Sequence, residues 1–279
     1  MFGIVVVITG LADRWILQRY AGSTEQGLFS LSFRIAGICL IFTSAMTQLI
    51  MREYAISHSR EDHEETRRLF QKHAIMLFTL TSYFSAFICI QSDAVIKLLG
   101  GKSFANAGSV MMIMALYPIH QTYGQMNGAL LLAIGKTRTY RNVGIAIMLS
   151  GLVFTWLLLA PPVDGGMEMG SVGLALKMVA LQFIGVNIQL WIILGILKLR
   201  FSYYFLHQLG VVIYLLTLSW GASLLVQLVD IGEVGAFILT GSIYSLFTAL
   251  SFFKWPKIIG LTKEELHAVR GNLHSRFGR

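Results

Sequence analysis

Charge is scarce in this chain: Asp, Glu, Lys and Arg make up 13% of its 279 residues, about half the share usual in soluble domains. That composition leaves little for a water-facing surface and excludes an ordinary soluble domain as the bulk of the protein. Cysteine is nearly absent. Cys39 and Cys89 both fall inside apolar runs, with no CxxC or Cys/His spacing, so neither a disulfide framework nor a metal site is indicated. No basic segment precedes the first apolar run and no small-residue cleavage site followed by a soluble domain ends it, so that run is expected to be retained. No paired-carboxylate motif, nucleophile elbow or phosphate-cradling glycine loop is present, which speaks against an enzyme.

What the chain has is apolar length, with 55% of its residues hydrophobic. A bilayer core about 30 Å thick needs about 20 mainly apolar residues per helical span. Such runs fall near 2–20, 27–50, 73–91, 107–133, 142–160, 171–196, 209–229 and 233–254. Lipid leaves unpaired backbone groups unsatisfied, and the runs lack the alternation of a membrane barrel. The expectation is an all-α, polytopic transmembrane bundle of about eight spans over 1–254, with a basic cytoplasmic tail at 255–279. Within that tail, "LTKEELHAVRGNL" is expected to form an amphipathic surface helix. Pro118 should kink or break its span near His120, Gln121 and Thr122, and the Gly-Ala-Ser-rich stretch near 221–242 should let helices approach closely.

The formal charge of +8 does not point to nucleic acid, because the cations gather in short connections between the apolar runs. Segments 51–72, 135–141, 197–208 and the tail from Lys254 carry five, three, two and six Lys/Arg, sixteen in all, against three (Arg19, Lys97, Lys102) in the connections on the other side. Lys and Arg accumulate on the cytoplasmic side, which predicts the orientation. The 51–72 segment also holds five acidic residues with His58 and His63, just before His73, and reads as a solvated helical hairpin or an extension of its two spans.

Ionisable groups at membrane depth cost roughly 2.5–3.5 kcal/mol each on insertion scales and so mark candidate sites. Asp13, Arg14, Arg34 and Lys177 qualify. Asp13 could pair with Arg14 or Arg34, while Lys177, about two turns into its span, faces either a cavity or a headgroup layer. Three cations against one anion would make a net-positive interior suited to a pyrophosphate or an acidic sugar. His120 would join that lining or pack among aromatics, and Gln121, Gln125 and Asn127 offer carboxamides for sugar hydroxyls. No catalytic residue, metal or cofactor is expected.

Four stretches resemble the C-terminal lobe of Wzx-type polysaccharide flippases, in the multidrug/oligosaccharidyl-lipid/polysaccharide exporter superfamily. They are "ADRWILQRYAGSTEQGLFSLSFRIAGI" (12–38), "AVIKLLGGKSFANAGSVMMIMAL" (94–116), "NGALLLAIGKTRTYRNVGIAI" (127–147) and "GSVGLALKMVALQFIGVNIQLWI" (170–192). The resemblance implies a bacterial inner-membrane exporter of undecaprenyl-pyrophosphate-linked glycan for envelope polysaccharide such as O-antigen, working by alternating access between two six-helix lobes. On that plan the chain starts where a second lobe starts. The expectation is therefore a partial or split transporter, completed by an N-terminal lobe or a second copy. Two alternatives remain, a multidrug or toxin antiporter of the same superfamily and a membrane enzyme of glycan assembly.

The charge asymmetry yields a first prediction. Alkaline phosphatase fused after Ser103 should be active, and fused after Arg68 or at Arg279 it should be inactive. The reverse pattern would refute the orientation.

Overall fold

The computed structural model describes residues 2–260, and among these almost every residue lies in a helix or a short 3-10 turn, with no strand. The polar tail sequence "LTKEELHAVRGNL" lies outside the described residues. Helix α1 (Phe2–Gly37) is followed by α2 (Ile41–Ser59), α3 (His63–Ile90), α4 (Ser92–Gly100), α5 (Gly108–Met114) and α6 (Tyr117–Ala133). Then come α7 (Thr137–Leu159), α8 (Gly170–Ile196), α9 (Phe201–Val226) and α10 (Glu233–Lys254). Six helical stretches are long and apolar enough to cross a membrane, the first of them running through Phe2–Ser59. The fold is an all-α membrane bundle.

That first stretch is not straight. Gly22 takes φ +86°, a conformation that residues with a Cβ avoid, and divides α1 into two halves. The guanidinium of Arg14 lies 5.8 Å from the Phe33 ring centroid, whereas 19 residues of straight helix would separate them by about 28 Å, so the halves double back on each other. A 3-10 turn at Ile38–Leu40 then leads into α2.

Expectations and structure differ over the 107–133 run and the 221–242 stretch and agree over segment 51–72. The 107–133 run is two helices, broken at Ala115 and Leu116 and not at the polar run after Pro118. Pro118 is the second residue of α6, where its missing N–H has no intrahelical partner to lose. Segment 51–72 is built mainly from extensions of α2 and α3 around a tight turn at 60–62, capped where the Asp62 carboxylate accepts from the Glu65 N–H at 2.9 Å. The 221–242 stretch is interrupted between α9 and α10. Of its glycines, Gly221 faces open space and Gly241 alone meets another helix, at Phe87.

Two apolar clusters fill the bundle. One gathers α2, α3, α6, α8 and α9 around Phe70, Phe78, Tyr123 and Tyr204, and the other gathers α1, α4, α5 and α8 around Leu17, Ile96, Met111 and Leu174. Helix α8 belongs to both, and so does α3, which reaches the second through Cys89. Polar bonds tie helices where lipid cannot compete for them: Thr43, Thr81 and Thr122 meet at 3.0–3.5 Å between α2, α3 and α6, and the Asn127 amide donates to the Val186 carbonyl at 3.1 Å. Such bonds average about 0.6 kcal/mol each in membrane bundles. The outward faces are apolar, with Val153, Leu206, Ile213 and Phe253 each more than 60% exposed, as suits a lipid solvent.

At the end of the bundle bearing Gly22, the Glu25 carboxylate caps α8, accepting from the Ser171 N–H at 2.9 Å and from its hydroxyl. A Cβ at position 170 would sit 2.9 Å from Glu25 Oε2, so Gly170 leaves the cap its space. Lys97 reaches Glu233 at 2.7 Å at the same end, and that hydrogen bond holds the ammonium above the ordinary lysine pKa. Both partners are exposed, so the pair adds little to stability.

Candidate functional site

The helical period places Val6, Asp13 and Arg14 towards one side of α1, Tyr117, Gln121 and Gly124 on one side of α6, and Tyr140, Gly144 and Gly151 on one side of α7. On α8 the same spacing aligns Met178, Gln182 and Gln189. These four faces turn toward one another and enclose two adjoining cavities, of about 430 and 310 Å³, that share Tyr117 and Gln182 among their walls.

In the larger cavity, Lys177 Nζ donates to Asp13 Oδ2 at 2.6 Å, and the Thr155 hydroxyl donates to Asp13 Oδ1 at 2.6 Å. All three side chains are buried. One carboxylate thus ties α1 to α7 and α8. Gly151 leaves the pair room, because a Cβ there would stand 3.1 Å from Lys177 Cε and 3.3 Å from Nζ, tighter than ordinary contact. Arg14 lines the same cavity but is exposed, rests against Phe33 and donates no hydrogen bond among the described residues. Its five N–H donors remain available.

The expected partners of Asp13 were Arg14 and Arg34; the partner is Lys177, from 164 residues away. The expected three-cation surface does not form. Arg34 is exposed on the far half of α1, outside both cavity linings. Lys177 is neutralised by Asp13, which leaves Arg14 as the single uncompensated charge in the larger cavity. His120 also lies outside both linings, packed edge-on against Phe183 with ring centroids 4.9 Å apart. Gln121 does line the smaller cavity, where its Oε1 accepts from Gln182 Nε2 at 2.6 Å. Gln125 and Asn127 instead bond across helices, to Ser44 and to the Val186 carbonyl.

Two cavity residues, and Thr155, the hydroxyl partner of Asp13, were not singled out from the sequence. Gln182 and Gln189 carried a signal, two carboxamides seven apart in an apolar helix. Thr155 carried none, since a threonine in a span more often bonds its own backbone; here its Oγ1 also lies 2.9 Å from the Gly151 carbonyl oxygen, the alternative acceptor for its one proton. No group of three or more His, Cys, Asp or Glu able to hold a metal occurs among the described residues.

Breaking a buried pair leaves an uncompensated charge, whereas removing both charges does not. Asp13→Asn and Lys177→Met should each lower the thermal stability of the purified protein in detergent, and the double variant should lose less than the sum, with a coupling of about 1–3 kcal/mol. Additive losses would show that the two residues do not act as a pair.

No protein-family model, no curated protein and no solved structure matches this chain, so its functional reading rests on the cavity and on the residues themselves.

Proposed function

We propose that this bundle belongs to a flippase or exporter of lipid-linked oligosaccharide or polysaccharide repeat units, acting in bacterial envelope polysaccharide biosynthesis at the inner membrane with its C-terminus in the cytoplasm. The observation that carries the reading is the cavity between α1, α6, α7 and α8. It offers an unpaired guanidinium at Arg14, a neutralised ion pair beside it and carboxamides beyond it. That order suits a ligand with an anionic group followed by hydroxyl-rich units, which is the chemistry of a diphosphate-linked glycan. Val7, Leu11 and Arg14 line the cavity and are exposed, which gives a polyprenyl chain a way to stay in lipid while the head enters.

The resemblance of the four sequence stretches to polysaccharide flippases supports the same reading. An ion-coupled drug extruder would need a carboxylate available to its coupling cation. Asp13 is instead engaged by Lys177 and Thr155, which weighs against that reading. A glycan-assembling enzyme would need an acid, a base or a nucleophile poised in the cavity, and no such group was identified from the sequence.

Flipping is measurable in proteoliposomes carrying a fluorescent polyprenyl-diphosphate oligosaccharide, by its loss of accessibility to an external quencher. The chain, completed by a six-helix N-terminal lobe or by a second copy, should accelerate translocation over protein-free vesicles. Arg14→Ala should slow it about tenfold, the effect of losing about 1.4 kcal/mol of charge-assisted binding, and Arg14→Lys should retain part of the rate. Translocation no faster than in empty vesicles would overturn the proposal.

A further inference from the structure

The smaller cavity differs from the larger in chemistry. Among the described residues, no Asp, Glu, Lys, Arg or His lines its 310 Å³, which is within the range of small-ligand pockets. Three carboxamides do: Gln121 from α6, and Gln182 and Gln189 from α8. Gln189 is 8% exposed and forms no hydrogen bond among the described residues. Its amide atoms are not themselves sealed from the cavity, so the carboxamide is open to bond a ligand there. Gln121 and Gln182 engage each other through one oxygen and one nitrogen, which leaves the Gln121 amide nitrogen and the Gln182 oxygen to bond elsewhere.

The backbone is cut to keep these groups in place. A Cβ at Gly124 would stand 3.1 Å from Gln182 Nε2, and one at Gly144 would stand 2.7 Å from the Phe2 ring. Phe2 in turn packs on Tyr140 at 5.3 Å, so two aromatic rings border the carboxamides. Carboxamides present donors and acceptors together, as sugar hydroxyls do, whereas an anion would call for cations and an apolar chain for no amides. From Lys177 to Gln189 along α8 is about 18 Å at 1.5 Å per residue, long enough for a charged linkage and an adjoining ring.

We propose that Gln121, Gln182 and Gln189 form a subsite for an uncharged, hydroxyl-bearing sugar ring, separate from the charge-binding part of the site at Arg14. The inference takes the lipid carrier of that sugar from the flippase reading.

The test uses the full chain in lipid nanodiscs and two probes, decaprenyl diphosphate and the same lipid bearing a neutral trisaccharide. The wild type should bind both, the glycosylated probe more tightly. Gln189→Leu should weaken the glycosylated probe at least tenfold and leave the bare diphosphate within twofold, and Gln189→Asn should fall between. Gln189→Met serves as a second apolar variant should the leucine protein not assemble. Equal affinity of the wild type for the two probes, or apolar variants that weaken both probes alike or neither, would overturn the subsite and leave the flippase reading standing. Binding of neither probe to the wild type would overturn both.

Discussion

Two opposite charges lie 2.6 Å apart inside an apolar bundle, and the cavity depends on them. An isolated carboxylate or ammonium at this depth would draw water or deform the bilayer, so neither Asp13 nor Lys177 is tolerable without the other. Each is supplied by a different helix, and Thr155 from a third completes the carboxylate's hydrogen bonds. The relative register of α1, α7 and α8 is therefore set by polar geometry in a region where apolar packing against lipid would allow sliding. The Gly22 turn cooperates by folding the second half of α1 back, bringing Phe33 beneath Arg14.

With the pair neutralised, the electrostatics of the larger cavity reduce to Arg14. Its guanidinium is planar, always charged and held against a ring face, an arrangement suited to phosphate oxygens. Along α8 the lining changes from charge at Lys177 to carboxamide at Gln182 and Gln189. The glycines that matter are those whose missing Cβ atoms make space for Lys177, Gln182 and Phe2, and they lie on the cavity faces.

Much of the fold was legible. Apolar runs of about 20 residues locate the helices because the bilayer sets the length and lipid forbids other backbone structure. Breaks were harder to place: Pro118 marks the interruption of the fourth expected span, but the chain turns before it because proline fits the first turn of a new helix. The depth of Asp13 and Lys177 along their helices was readable, yet their pairing was not, since contact between residues 13 and 177 follows from packing and not from local spacing. Arg34 shows the same limit from the other side. Depth alone placed it with Arg14, but it is exposed and outside both cavity linings. Gln182 and Gln189 were within reach of a periodicity argument applied to polar residues in the same way as to apolar ones.

Substituted-cysteine reactivity tests most directly whether these four helices enclose a hydrated polar cavity. Cysteines placed at Gln182 and Gln189 should react with a small hydrophilic methanethiosulfonate. Cysteines at Trp191 and Ile188, which face outward on the same helix at 66% and 40% exposure, should not. Lys177→Met in the same background should alter the rates at positions 182 and 189 by displacing α8. Unreactive cavity positions, or outward positions reacting as fast, would contradict the account.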